Sequence, residues 1–269
     1  MNENYIQENN VYNHDAIDFM KMLYEDYGDE SVNMFLCDFP YTFKGKKRVT
    51  ANSWDLPIDD NEFFEFAMKM LTPDGAIVLT ASQPFASHLV YNHLDCFKYE
   101  WIWEKDNGSN FTHVKYQPFK VHENILVFGK QATTYVKSGK NMKYNPQFTY
   151  STPYSIKRDG SDVKNLIGFS GRTDTDNKDG KRYPRSVQKF NLERGLHPTQ
   201  KPTSLFSYLI ETYTNKDELV VDICAGSGTT AISAINTNRK YIVNELNKEY
   251  FDIINQRIKE TNNINKEEN

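Results

Sequence analysis

The stretch "ELVVDICAGSGTTAISAI", residues 218–235, contains the pattern that decides the fold of this chain. An apolar, β-branched run ends at Asp222, a small-residue turn with Gly226 and Gly228 follows, and a helical pattern comes next. We predict a strand, a tight turn and a helix here. Glycines in such a turn let a ligand approach the backbone beside the free N–H groups of the helix. Because ligands of doubly wound sheets bind at the carboxyl ends of strands, this turn is a candidate ligand site.

The next apolar run, "KYIVNE" at residues 240–245, ends in an acidic residue. Glu245 follows Gly228 by 17 residues. A carboxylate at the tip of a neighbouring strand can accept hydrogen bonds from both hydroxyls of a ribose. The strand, turn, helix, strand and acid together predict an adenosine-containing cofactor, with a solvated strand end as the alternative for Glu245. A phosphate-cradling P-loop is disfavoured, because the turn lacks Gly-Lys-Ser or Gly-Lys-Thr.

Apolar runs and helical patterns alternate along most of the chain. Predicted strands occupy residues 32–37, 76–80, 99–103, 124–129, 218–223 and 240–245. Predicted helices occupy residues 15–27, 61–71, 202–213, 228–237 and 247–260, and a turn is expected at 72–75. Strands that alternate with helices predict an α/β fold with a doubly wound, mostly parallel sheet.

The alternation stops at residues 130–195, which are polar, basic and weakly periodic. Residues 130–201 contain 15 Lys and Arg against 6 Asp and Glu, whereas the whole chain has a formal net charge of −4. A structureless loop of this length inside a compact domain would be unusual, so we predict an inserted lobe. Its charge suits the phosphates of a nucleic acid, and a solvated, partly flexible insertion is the equal alternative.

Cysteine use and hydropathy indicate a cytoplasmic protein. Cys37, Cys96 and Cys224 are odd in number and unpaired in spacing, which suits a reducing compartment. The N-terminus lacks the basic-then-apolar pattern of a signal peptide, and no apolar run approaches the ~20 residues that span a bilayer. Histidines and cysteines show no metal-ligand spacing, so we expect no metal.

A second strand, "VNMFLC" at residues 32–37, ends in the unusual turn Asp38-Phe39-Pro40-Tyr41. Pro40 fixes its own backbone and biases Phe39 away from helix, which makes the turn stiff. Asp38 and the Phe39 carbonyl offer two acceptors, and Tyr41 offers a flat face for stacking. A planar base with an exocyclic amine matches this set. Two acceptors can hold the amine hydrogens and turn the nitrogen lone pair toward an electrophile.

The two turns together resemble the signatures of amino-methyltransferases that use S-adenosylmethionine. Asp38-Phe39-Pro40-Tyr41 resembles their Asp-Pro-Pro-Tyr motif, and residues 222–230 resemble Asp-x-Phe-x-Gly-Ser-Gly-Thr-Thr. With the first motif early and the glycine motif late, the order looks like the permuted β class of DNA adenine-N6 and cytosine-N4 methyltransferases. "HPTQKP" at residues 197–202 and the segment from "WEK" to "HENILVFGK" at 103–130 are similar to further segments of that class.

The resemblance implies a Rossmann-like methyltransferase fold, S-adenosylmethionine as cofactor and double-stranded DNA as partner. It assigns catalysis to Asp38, Phe39, Pro40 and Tyr41, with Asp38 polarising the target amine and Tyr41 stacking on the flipped base. It assigns cofactor binding to Asp38, Thr199, Gln200, Lys201, Asp222, Ala225, Gly226, Ser227, Gly228, Thr229 and Glu245. In the basic insert, the candidates for DNA contact are Lys137, Lys140, Lys143, Lys157, Arg158, Arg172, Lys181, Arg182 and Arg185. Homodimers are common in the class, and this sequence gives no independent sign of one.

These assignments divide the chain into a catalytic half at 1–129, an inserted target-recognition region at 130–195, a cofactor-binding half at 196–260 and a polar tail at 261–269. The predicted function is site-specific methylation of adenine N6 after base flipping, as in restriction–modification. The family's cytosine enzymes commonly have Ser in place of Asp38. Open alternatives are cytosine N4 or RNA as the target, and a catalytically weak or inactive DNA-binding subunit. Phe39 motivates the last alternative, because the family usually has Pro there, and it often has Phe in place of Cys224.

Overall fold

The computed structural model describes residues 5–42, 56–157, 174–193, 195 and 200–267. The described helices are α1 (Ala16–Tyr27), α2 (Asp60–Met70), α3 (Phe85–Asn92), α4 (Thr203–Tyr213), α5 (Thr229–Asn236) and α6 (Lys248–Glu267). The described strands are β1 (Asn10–Tyr12), β2 (Val32–Cys37), β3 (Leu71–Ala81), β4 (Phe97–Glu104), β5 (His122–Phe128), β6 (Thr149–Tyr150), β7 (Tyr154–Ile156), β8 (Thr175–Asn177), β9 (Lys181–Arg182), β10 (Val187–Lys189), β11 (Leu219–Asp222) and β12 (Lys240–Asn244). Among these helices, none has the length and apolar character needed to cross a bilayer.

Eight of the described strands form one sheet in the order β1-β12-β11-β2-β3-β5-β4-β10. Neighbouring strands are parallel except at β5, which runs antiparallel to both β3 and β4. The predicted α/β fold with a doubly wound, mostly parallel sheet is therefore confirmed. The sequence did not predict β1 and β10, because these three-residue strands contain no apolar run.

Helices cover both faces of the sheet, since its central strands are apolar on both sides. Along β2, Phe35 and Cys37 face one core, whereas Met34 and Leu36 face the other. The first core includes buried side chains of α1, α2 and α3, and the second includes those of α4, α5 and α6. The sheet is thus the middle of three layers, which leaves its strand ends as the accessible place for a ligand.

The two strands that precede the sequence motifs lie side by side in the centre of the sheet. β11 pairs in parallel with β2 through Val220 and Val221. Both strands therefore end at the same edge, and the turns that follow them meet there. The thiol of Cys224 lies 3.6 Å from the backbone oxygen of Asp38, which shows how closely the two turns approach.

Two elements differ in extent from the sequence prediction. Residues 72–75, predicted as a turn, lie within β3. The register shifts there, because Val32 pairs with Leu71 whereas Met34 pairs with Ala76, so β3 contains extra residues that form a bulge. This bulge accommodates Pro73, which cannot donate a hydrogen bond to a neighbouring strand. The last helix, α6, continues to Glu267, so the predicted end at residue 260 is too early and most of the predicted polar tail is helical.

The chain separates into two compact units. Pro146–Arg185 form the second unit, in which β6 pairs antiparallel with β9 and β7 pairs antiparallel with β8. Within this unit the Lys181 ammonium lies 3.6 Å from the centroid of the Phe148 ring. The unit is shorter than the predicted insertion at 130–195, because the first unit includes the residues before Pro146 and after Arg185.

Candidate active site

A cavity of about 590 Å³ lies where β2, β11 and β12 end. Most of the predicted catalytic and cofactor residues border it: Asp38, Phe39, Pro40, Tyr41, Gln200, Lys201, Asp222, Ala225, Gly226, Ser227, Thr229 and Glu245. Thr199 lies outside the described residues, and Gly228 does not border the cavity. The turns that the sequence analysis singled out thus meet around one space.

Glu245 holds the glycine turn from the end of β12. Its Oε2 accepts a hydrogen bond from the Gly226 N–H at 2.8 Å, and its Oε1 accepts one from the Asn247 N–H at 2.8 Å. Burial raises the pKa of Glu245, and these two backbone donors oppose that effect. Each carboxylate oxygen has a second lone pair, so Glu245 can also accept hydrogen bonds from hydroxyl groups of a ligand.

The two glycines of the turn, Gly226 and Gly228, differ in what surrounds them. Gly226 (φ +56°) borders the cavity, and a Cβ built there would meet nothing within 4 Å, so a ligand can approach this backbone. Gly228 (φ +84°) begins α5, and a Cβ built there would lie 2.8 Å from the side chain of Ile254 on α6. Gly228 therefore permits close packing of two helices, and its predicted cofactor contact stays a prediction.

Asp222 is buried, and its carboxylate is satisfied within the protein. Its Oδ1 accepts a hydrogen bond from the Cys224 N–H at 3.0 Å, and its Oδ2 accepts one from the Thr230 hydroxyl at 2.5 Å. Burial raises the pKa of Asp222 to about 7, although these two donors act in the opposite direction. Asp222 thus fixes the shape of the glycine turn at the edge of the cavity.

Asp38 lies in a ring of polar side chains, which we call the catalytic ring: Asp38, Tyr41, Thr80, Lys105, Glu123 and Lys201. The Lys201 ammonium lies 2.5 Å from Asp38 Oδ2, and the Tyr41 hydroxyl lies 3.1 Å from Oδ1. Thr80, near the end of β3, donates a hydrogen bond to the same Oδ1. Burial lowers the pKa of Lys201, but the carboxylates of Asp38 and Glu123 outweigh burial and raise it. Lys201 is therefore a fixed positive charge beside the predicted catalytic carboxylate.

Glu123, at the start of β5, completes the catalytic ring. It accepts a hydrogen bond from the Tyr41 hydroxyl at 2.7 Å, forms an ion pair with Lys105, and lies 3.6 Å from Lys201 Nζ. Burial by itself would raise the pKa of Glu123, but the positive charges of Lys201 and Lys105 lower it to about 2. Glu123 is thus ionised at neutral pH, and the two carboxylates balance the two ammonium groups.

Phe39 and Tyr41 leave the same turn in different directions. The Phe39 side chain is buried in the core, where its ring meets the edge of Phe63 with the centroids 4.9 Å apart. The Tyr41 ring borders the cavity and is stacked on Phe85 with a centroid separation of 6.0 Å. The residue at which this chain departs from Asp-Pro-Pro-Tyr therefore anchors the turn in the core.

The predicted DNA-binding residues are distributed over both units. Lys137 and Lys140 are exposed in the first unit, whereas Lys157, Lys181, Arg182 and Arg185 belong to the second. Arg158 and Arg172 lie outside the described residues. Lys143 is the exception, because its largely buried ammonium pairs with Glu218 and lies 3.4 Å from Asp74. An ammonium that is already neutralised is a poor partner for phosphate, so we remove Lys143 from the candidates.

Three members of the catalytic ring were missing from the sequence predictions: Thr80, Lys105 and Glu123. A signal for two of them was present in the sequence. Residues 103–130 begin with Trp-x-Lys and contain His-Glu, which are the positions of Lys105 and Glu123. The resemblance of this segment to a known class by itself assigns no role to Lys105 or Glu123.

Comparison with known proteins identifies the family. The model of the N6 and N4 methyltransferase family, described as DNA methylase, matches residues 32–256. The chain belongs to the DNA methylase family. The type II methyltransferase M2.DpnII of Streptococcus pneumoniae is 37% identical to it over 259 aligned residues, which cover 88% of this chain and 85% of that relative. Membership confirms the predicted DNA methyltransferase function, and with it S-adenosylmethionine as the methyl donor.

Two solved structures share the fold of this DNA methylase. The complex of M1.HpyAVI with SAM matches with a TM-score of 0.60 and 21% identity, and the match covers 92% of this chain and 98% of that chain. The PvuII DNA methyltransferase, which is cytosine-N4-specific, matches with a TM-score of 0.65 and 18% identity, covering 93% and 86%. At these identities the likeness shows the fold alone, so the target base must be argued from the site.

Proposed function

We propose that this DNA methylase transfers a methyl group to N6 of adenine in double-stranded DNA, at a specific sequence and after flipping the base. The observation that supports this most directly is the position of Asp38. Its carboxylate borders the same cavity as the glycine turn, so an amine bound to Asp38 faces the space for the cofactor. An Asp rather than a Ser at this position favours adenine over cytosine.

The residues around the cavity fit S-adenosylmethionine. The volume of about 590 Å³ lies within the range of roughly 300–1,000 Å³ found for small-molecule sites. Glu245 offers acceptors for ribose hydroxyls, Gly226 leaves room beside the backbone, and Asp38 adds negative charge for a cationic ligand. When bound, S-adenosylmethionine would supply a methyl group on a positively charged sulfur. A nitrogen lone pair can attack the methyl carbon, and the sulfur is the leaving group.

The catalytic ring explains how Asp38 can act on an amine. Contacts from Tyr41 and Thr80 to Oδ1, and from Lys201 to Oδ2, fix the orientation of the carboxylate. Asp38 and the Phe39 carbonyl accept the two amine hydrogens, which turns the nitrogen lone pair toward the methyl donor. As the nitrogen becomes cationic, the Asp38 carboxylate stabilises the developing charge and accepts the departing proton at its oxygen.

Features outside the cavity support DNA as the substrate and an active enzyme. Lys137, Lys140 and Lys157 are exposed cations that can bind phosphates. The core position of the Phe39 ring disfavours the inactive alternative, because the ring stabilises the catalytic turn. The free thiols of the three cysteines support the cytoplasm as the place of action.

Replacing Asp38 tests the catalytic role. In Asp38→Ala we expect methyl transfer to fall by at least about 100-fold, since a positioned electrostatic contact is lost, while cofactor binding weakens far less because Glu245 and Gly226 still border the cavity. Transfer is measured with labelled cofactor on mixed-sequence DNA, and cofactor affinity is measured by calorimetry. Asp252→Ala, which removes an exposed carboxylate paired with Lys248, is the matched control and should stay fully active. Full activity in Asp38→Ala would refute the mechanism.

Digesting the methylated product to nucleosides identifies the target base. N6-methyldeoxyadenosine is expected. Cytosine N4 is the second candidate, because the matched family includes enzymes for both amines and the Asp38 acceptor pair can bind either. Recovery of N4-methyldeoxycytidine would replace adenine by cytosine as the target. Parallel reactions on duplex DNA, single-stranded DNA and RNA test whether double-stranded DNA is the preferred substrate.

A further inference from the structure

Residues 107–121, within the loop between β4 and β5, expose the aromatic side chains of Phe111, Tyr116 and, to a smaller extent (41%), Phe119, and we call this segment the aromatic loop. Phe111 is 77% exposed and Tyr116 is 87% exposed. Burying a side chain of this size in the core would stabilise the fold, so an aromatic ring left in water contributes little to folding. Several exposed rings on one short segment, unlike a single exposed ring, form a candidate surface for a partner with flat, stackable faces.

The aromatic loop is an ordered structure and not a loose chain. The Ser109 N–H donates to the carbonyl oxygen of Lys120 at 3.2 Å, and the Lys120 N–H donates to Asn110 Oδ1 at 2.7 Å. The Asn110 side chain donates to the Pro118 carbonyl at 3.0 Å. Asn110 thus joins the two arms of the loop, which orders the segment that contains Phe111 and Tyr116 before any partner binds.

Both ends of the aromatic loop are attached to the catalytic ring. Lys105 precedes the loop and Glu123 follows it, and these two side chains form an ion pair. Glu123 also accepts the hydrogen bond from Tyr41, and Lys120 of the loop donates to Ser82, just beyond the end of β3. The loop therefore begins and ends beside the catalytic ring.

The charge of the aromatic loop suits a polyanion. Residues 107–121 contain Lys115, Lys120 and His113 and no Asp or Glu. The chain outside residues 130–201 is acidic, with 17 Lys and Arg against 30 Asp and Glu. The flanking carboxylates are engaged within the protein, Asp106 with the Leu192 N–H and Glu123 with Lys105, so the segment itself presents positive charge to phosphates.

We propose that the aromatic loop binds the DNA duplex at the target site, where Phe111 and Tyr116 stack on bases and occupy the space that the flipped base vacates. This inference rests on the proposed function, because it gives that function a means of holding the duplex open. Unstacking and unpairing a base costs a few kcal/mol, and inserted apolar side chains are a known way to compensate for such disruption. Flat rings suit this role because every base has a face on which they can stack.

The test compares the activity of the full-length protein on two DNA substrates. The first is a duplex containing the site that is methylated in cells, and the second lacks the base opposite the target, which removes most of the cost of flipping. For Phe111→Ala with Tyr116→Ala, we expect kcat/KM on the paired duplex to fall about 10- to 100-fold, as expected for lost stacking. On the abasic duplex we expect activity within about threefold of the wild type, because flipping no longer needs support.

Tyr91→Ala is the matched control, since Tyr91 is an aromatic residue on α3 that is 84% exposed and lies outside the loop. It should match the wild type on both substrates. Unchanged activity of the double variant on the paired duplex, an equal loss on both duplexes, or the same pattern in Tyr91→Ala would each overturn the inference.

Equilibrium binding to the paired duplex, measured by fluorescence anisotropy, separates this inference from the proposed function. If the wild type binds the duplex about 10-fold or more tightly than the double variant but methylates no adenine, the proposed function fails and the loop contact stands. If the wild type methylates adenine and the variants match it in both assays, the proposed function stands and the inference fails.

Discussion

Glu123→Gln is the substitution that probes the catalytic ring most directly. Gln has nearly the same shape as Glu and can still accept the hydrogen bond from Tyr41, so the change removes mainly one negative charge. The side chains concerned are largely buried, with Glu123 12% exposed and Lys105 and Lys201 each 6% exposed. Without the charge of Glu123, the buried Lys105 ammonium would lose its ion-pair partner, and Lys201 would keep only Asp38.

The pKa of Glu123 gives the size of the expected effect. Its fall from an ordinary value of 4.5 to about 2 corresponds to about 3 kcal/mol of folding free energy at neutral pH. Removing one partner of a buried ion pair typically costs about 3–5 kcal/mol, which agrees. We therefore expect Glu123→Gln to lower the free energy of unfolding by about 3 kcal/mol at pH 7.

The pH dependence of this loss follows from the sign of the pKa change. A carboxylate whose pKa is lower in the folded state stabilises the fold above the pKa of its unfolded form, and this contribution is lost as the pH falls. The difference between wild type and Glu123→Gln should thus be full at pH 7, begin to shrink near pH 4.5, and approach zero near pH 2.

Urea unfolding at a series of pH values measures this difference. Glu65→Gln is the control, because Glu65 forms a surface pair with Lys69 and its side chain is 60% exposed, so no measurable change is expected. An unchanged urea midpoint for Glu123→Gln at pH 7 would refute the assignment of Glu123 as the buried counter-charge. A loss that stays constant down to pH 2 would indicate lost packing instead of lost charge.

Two further substitutions test the turns at the cavity. Gly228→Ala should lower the free energy of unfolding, measured by thermal unfolding, by about 2–4 kcal/mol, because positive φ and contact with Ile254 both oppose a Cβ. The control Gly28→Ala, with positive φ but open space around the Cβ, should lower it less. Phe39→Pro, which restores the residue usual in the family, should lower stability by about 3 kcal/mol in urea unfolding through loss of the Phe63 contact, without raising the rate of methyl transfer. A faster Phe39→Pro enzyme of unchanged stability would contradict the role of Phe39 as an anchor.

The central strands could be predicted because their signal is local. Each of β2, β3, β4, β5, β11 and β12 contains an apolar run that stands out from its flanks, and such runs are buried wherever they lie in a doubly wound sheet. β1 and β10 have no such run, and they exist as strands because they pair with β12 and β4 at the two margins of the sheet. Their pairing depends on tertiary contacts, which no short window of sequence contains.

The site residues also differ in whether local sequence or tertiary contacts determine their position. Asp38, Asp222 and Glu245 each follow an apolar strand, so the assumption of a parallel sheet was enough to place all three at its carboxyl edge. By the family motif alone, Phe39 is a departure from the usual proline that removes one rigid ring from the turn. Its side chain direction, into the core and against Phe63, depends on α2 and could not be read from the turn itself.

Glu123 could not be placed from the sequence because strand direction is not encoded in hydrophobic periodicity. In an all-parallel sheet the first residues of β5 would lie at the edge opposite the active site. β5 is antiparallel, so its start faces the end of β3, where Asn124 pairs with Ala81, and the end of β4. The reversal of this one strand brings the carboxylate of Glu123, from a strand start, to the edge where the parallel strands finish, beside Lys105 at the end of β4. The ion pair between Lys105 and Glu123 thus depends on the antiparallel direction of β5, which the local sequence around these two residues does not reveal.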